Sequence, residues 1–84
     1  MNSKQRKTLV AIFEKPTRGD IVWQEIEKLV IALGGEIIEG NGSRVRLVLQ
    51  GHRGYFHRPH PGKEARKYAI EAAREFLVNA GVKP

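Results

Sequence analysis

The segment SRVRLVLQGHRGYFH, residues 43–57, decides the fold. From Ser43 to Gln50 the side chains alternate, with Arg44, Arg46 and Val48 on one face and Val45, Leu47 and Leu49 on the other. A period of two marks a strand with one face in a core and the other in water. Gly51 closes this run, and His52 to His57 resumes the alternation, with Arg53, Tyr55 and His57 set against Gly54 and Phe56. If Phe56 enters the core, antiparallel pairing of the two runs places Tyr55 and His57 on the same outer face as Arg44 and Arg46.

Moving outward, Gly40-Asn41-Gly42 is a tight-turn signal, and Glu36–Glu39 before it holds the β-branched pair Ile37 and Ile38 of a third short strand. Three such runs in succession predict an antiparallel meander. Further back, Trp23, Ile26, Val30 and Leu33 recur at three- and four-residue spacing, predicting a helix with Asp20 as its N-cap and Gly34 as its stop. Trp23 on that stripe reads as core, because a base-stacking ring has to be exposed. Residues 1–16 read as an additional N-terminal helix, capped by Ser3, carrying Leu9, Ile12 and Phe13 on its apolar side and ended by Pro16. On the C-terminal side, Arg58-Pro59-His60-Pro61-Gly62 forms a rigid connector that continues neither a ladder nor a helix. A last helix is expected from near Lys63 to about Ala80, with Ala69, Ala73, Phe76, Leu77 and Ala80 on one side and Gly81 as its stop. The predicted fold is α+β in the order α-α-β-β-β-α, a three-stranded antiparallel sheet with helices on one face and the other face open. At 84 residues the chain suits one hydrophobic core, so residues 1–84 read as a single domain.

Charge supplies the second constraint. Between Gly40 and Lys67 stand Arg44, Arg46, Arg53, Arg58, Lys63, Arg66 and Lys67 against Glu64 alone, a local excess of six, while the remaining residues hold eight basic and eight acidic groups. All three histidines, His52, His57 and His60, lie in the same segment. Such clustering is the footprint of a phosphate-backbone partner, and an RNA surface is read from Arg44, Arg46, Arg53, Tyr55, Arg58, Lys63, Arg66 and Lys67. A merely solvated basic face explains surplus lysine but accounts poorly for four arginines interleaved with histidine and tyrosine. Lys63, Arg66 and Lys67 would oppose the dipole of a helix starting there, a placement that makes sense with a phosphate in front of them. The chain has no cysteine, its longest apolar runs fall far short of the roughly 20 residues of a membrane span, and Met1–Thr8 is polar. A cytoplasmic protein without a membrane partner is therefore expected. His57-x-x-His60 lacks a third nearby Asp or Cys, and Gly40-Asn41-Gly42-Ser43 leads into no helix, so neither a metal nor a nucleotide cofactor is anticipated.

The residues in order resemble the HicA family, the ribonuclease toxins of HicAB toxin–antitoxin pairs. The matching elements are Gly34 after the helix, Gly42-Ser43 before the alternating strand, Gly51, Pro59-His60, Gly62-Lys63-Glu64 and the ending Phe76-Leu77-Val78-Asn79-Ala80-Gly81-Val82, which sets a core at 20–82. The resemblance implies a fold like that of double-stranded-RNA-binding domains, metal-independent cleavage of mRNA and neutralisation by a HicB-type antitoxin. The sequence departs from the family at two points. Arg44 occupies the position after Gly-Ser where family members usually carry the catalytic histidine, and Pro59 adjoins His60 where the family commonly has one residue between. The proton transfers then fall to His57 and His60, with Arg44 stabilising transition-state charge and Ser43 orienting a phosphate. Histidine suits that work because its reference pKa is about 6.5. Two other classes fit the same features: an RNA-binding module that has lost cleavage, and a protein-interaction partner whose basic face meets an acidic protein.

Overall fold

Gln50 and Gly51 both adopt positive φ, 51° and 76°, the left-handed pair that turns two antiparallel strands on two residues with matching twist. They join β2 (Arg44–Leu49) to β3 (His52–His57), setting Arg44 opposite His57, Val45 opposite Phe56 and Arg46 opposite Tyr55. On the other edge of β2, β1 (Glu36–Glu39) pairs with Ile38 opposite Arg46, giving the antiparallel order β1-β2-β3. The computed structural model describes residues 1–84 and has the meander that the alternation predicts. Val45, Leu47, Leu49 and Phe56 are buried.

Three helices complete the order α-α-β-β-β-α: α1 (Ser3–Ile12), α2 (Trp23–Ala32) and α3 (Lys67–Asn79). α2 and α3 cover the inner face of the sheet, and α1 packs against both of them from behind. This α+β arrangement is consistent with that of double-stranded-RNA-binding domains. Ile12, Ile26, Leu29, Leu47, Ile70 and Leu77 are fully buried and belong to one continuous cluster, so α1 shares the core of the other elements. An aromatic chain runs across the layers, with ring centroids 5.3 Å apart for Trp23 and Phe56 and 6.3 Å for Phe56 and Phe76. Paired aromatics of this kind add about 0.5–1.5 kcal/mol each beyond the area they bury. Gly54 makes room for them, since a Cβ there would stand 2.6 Å from Phe56 Cε1 and 3.0 Å from Phe76 Cδ1. No helix is long and apolar enough to cross a membrane.

The helix starts differ from the sequence reading. Asn2, not Ser3, caps α1, its Oδ1 accepting from Gln5 N while Gln5 Oε1 accepts from Asn2 N, a reciprocal capping box. α2 begins at Trp23 after Val22, and Asp20 caps nothing; its carboxylate accepts instead from Arg18 at 2.8 Å. α3 begins at Lys67, four residues beyond the expected Lys63. One feature explains both late starts: Ile21–Val22 runs antiparallel to Lys63–Ala65. Trp23 N donates to Lys63 O at 2.9 Å, Ala65 N donates to Ile21 O at 2.8 Å, and Val22 stands opposite Glu64. Backbone committed to this clasp is extended and unavailable to either helix. Ile21 and Ala65 are buried by it. A second tie joins α1 to α3, where Arg74 donates to Ile12 O at 2.9 Å and Glu14 O at 3.1 Å, satisfying carbonyls that a helix end leaves free.

Candidate RNA interface and catalytic site

The open face of the sheet is built from rows of cross-strand partners. Its central row is Ile38, Arg46 and Tyr55, and the next row toward the connector is Arg44 and His57. Arg46 is half-buried, with its guanidinium carbon 5.3 Å from the Tyr55 ring centroid, within the range of a cation–π contact. Neither Arg44 nor Arg46 pairs with a carboxylate, so their charge is left for a partner from solution. Ser43 Oγ lies 3.4 Å from His57 Nδ1, a long hydrogen-bond contact whose direction follows the imidazole tautomer. Arg44, Arg46, Tyr55 and His57 line a cleft of about 420 Å³ together with Glu39 and Asn41.

Beyond His57 the chain is held by a fork. Arg58 donates from Nε to Glu27 at 2.8 Å and from Nη2 to Glu39 at 2.8 Å, bridging α2 and the end of β1. Trp23 Nε1 also donates to Glu27. The hydrogen bond from Arg58 holds the Glu39 carboxyl below its ordinary value, and the two carboxylates raise the Arg58 guanidinium further above its own. The fork fixes the end of β3, and Arg58 N adds a bond to Ser43 O at 2.8 Å. His57, His60, Arg66 and Tyr68 therefore meet around a second, smaller cleft of about 190 Å³. His57 borders both clefts.

The structure gathers some of the residues singled out from the sequence and disperses others. Arg44, Arg46, Tyr55, His57, His60 and Arg66 line the two clefts, and Ser43 reaches them only through its contact with His57. Arg53 shares the outer face but stands opposite Val48, roughly 13 Å along the strand from His57 at about 3.3 Å per residue. Arg58 lies beside the site with its charge already matched by two carboxylates, so it is a clamp between elements. Lys63 is exposed with its carbonyl in the clasp, and Lys67 turns away, since a Cβ on Gly19 would stand 3.3 Å from Lys67 Cε. The three cations expected on one helix turn thus do not converge, because that turn is not helical. Tyr68 was not legible as a site residue. Its only signal was an aromatic ring one place off the Ala69–Ala73–Phe76 stripe. A further cleft, about 580 Å³ beside α1 and α2, contains no histidine, and its Arg18–Asp20 and Lys4–Glu25 pairs compensate one another.

With this geometry in place, comparison with known families matches residues 23–82 to the family described as the HicA toxin of bacterial toxin–antitoxin systems. α2, the sheet, the connector and α3 lie within the matched residues, and α1 lies outside them. No curated protein and no solved structure matches the chain.

Proposed function

The chain belongs to the HicA toxin family of bacterial toxin–antitoxin systems, and from that membership we propose that it is an endoribonuclease that cuts mRNA without a metal ion. The observation that carries the reading is the open-face pair of His57 and Arg44, with Ser43 Oγ 3.4 Å from His57 Nδ1. Metal-free cleavage of RNA needs these kinds of group. An imidazole takes the proton of a 2′-hydroxyl, whose oxygen bonds to the adjacent phosphorus while the bond from phosphorus to the 5′-oxygen breaks. A second acid returns a proton to the leaving oxygen, and a cation meets the charge on the phosphorane-like oxygens. His57 takes the first proton, His60 returns the second, Arg44 faces the developing charge and Ser43 orients the phosphate. The products are a 2′,3′-cyclic phosphate and a 5′-hydroxyl, with no oxidant or cofactor in the balance.

Arg46 and Arg66 extend the phosphate contacts on either side of His57. A HicB-type antitoxin that covers the same clefts would present acidic groups to these arginines, associating fast and in a salt-sensitive manner. The site of action is the cytoplasm, where mRNA is found. The test is incubation of purified protein with mRNA in the presence of EDTA, followed by end-group analysis. Wild type should cut, and His57→Ala should lose about 10²–10⁴-fold in rate with an unchanged melting temperature; full activity in that variant removes the assignment. A second reading, a non-catalytic RNA-binding module, draws on Arg44 standing where the family usually has histidine. It predicts stoichiometric binding with the RNA intact.

A further inference from the structure

The chain has two tyrosines, and both stand beside His57. Tyr55 lines the larger cleft and is 70% exposed; Tyr68 lines the smaller one and is 65% exposed. Aromatic rings left this open on either side of one imidazole contribute little to a core. They do offer flat apolar surface at the spacing of the two clefts. The Arg46 guanidinium carbon lies 5.3 Å from the Tyr55 ring centroid, and Ile38, itself part-exposed, continues the same cross-strand row as an apolar floor. A phosphate alone has no use for such a floor. A nucleobase stacked on tyrosine or on an arginine plane does.

We propose that the RNA bound at His57 is single-stranded, and that the bases flanking the reacting phosphate stack on Tyr55 in one cleft and Tyr68 in the other. The inference rests on the RNA reading above and deepens it by naming the substrate class. Stacking on both rings requires bases released from pairing, which a continuous duplex does not provide. The chemistry makes the same demand. A 2′-hydroxyl lines up with the leaving 5′-oxygen only where the backbone abandons A-form geometry, so splaying the two bases apart is also what brings the attacking oxygen into line. Arg66 borders the smaller cleft and Arg44 the larger, leaving a cation for the phosphate on each side of His57.

Two measurements test this. In the first, short 2′-O-methyl RNA containing 2-aminopurine, which cannot be cut, is titrated with wild type, Tyr55→Leu, Tyr68→Leu and the corresponding Tyr→Phe variants. Stacking quenches the fluorophore; wild type and both Phe variants should quench it, and each Leu variant should quench less and bind about ten-fold more weakly. Unchanged quenching and affinity in Tyr68→Leu or Tyr55→Leu overturns the proposal. In the second, an unmodified strand is offered alone and annealed to its complement, and the single strand should be cut at least about ten-fold faster. Cleavage of both at equal rates overturns the proposal. Both tyrosines are exposed, so the variants keep their fold. The fluorescence arm reads stacking without any cleavage, so a protein that stacks RNA but leaves it whole would sink the endonuclease reading and sustain this one.

Discussion

Single residues divide sharply by which side of the sheet they face. Phe56 and Val45 fill the interior, and their neighbours His57 and Arg44 meet solvent, so one step along either strand separates the core from the face to which the reaction is assigned by proposal. Arg58 is the exception, because the next residue after His57 is spent on the Glu27 and Glu39 fork. That fork makes an acid-sensitivity prediction. Glu39 titrates below its ordinary value of 4.5 in the folded protein because it accepts from Arg58. A depressed carboxyl adds stability above the unfolded value and loses it as pH falls through the folded one. The melting temperature of wild type should therefore drop on acidification beneath about pH 4.5, and Glu39→Gln should lose less over the same interval. An equal loss in both proteins would show that the ion pair carries none of the dependence. No sequence pattern marks this fork, since its three members lie in three different elements.

Among elements, strands were far more legible than helix ends. The alternation of residues 44–57 and the glycines around it made the meander and its outward face legible, because a period of two has a single buried solution, whereas the cross-strand partners came only with the structure. The starts of α2 and α3 were hidden for the opposite reason: the Ile21–Val22 and Lys63–Ala65 clasp is a pairing between distant segments that look individually like a cap and a first helical turn. The same clasp separates the cations of the expected basic turn. α1 lies outside the family match, yet Ile12 is fully buried and Arg74 holds its C-terminal end. Ile12→Ala should cost about 2–5 kcal/mol, measured as a lower urea midpoint with unchanged slope. A loss within about 0.5 kcal/mol, the range of surface changes, would mean that α1 is an ornament on the fold.

For the whole molecule, the net charge of +6 is less informative than its distribution, since the basic excess lies in one segment and only part of it reaches the clefts. If Arg44, Arg46 and Arg66 each neutralise one phosphate of a single strand, log affinity should fall with log salt at a slope of about −2. A flat dependence would place RNA elsewhere, and a much steeper one would bring Lys63, Lys67 and Arg53 into the contact. The alternation along β2 and β3 has a further consequence for how such a protein changes over generations. Because the groups assigned to cutting hang from one side and those that hold the sheet from the other, losing the weapon and losing the shape are independent accidents. A descendant that lost only its imidazoles would keep the arginines that an acidic inhibitor is proposed to meet, and would draw that inhibitor away from copies that remain dangerous.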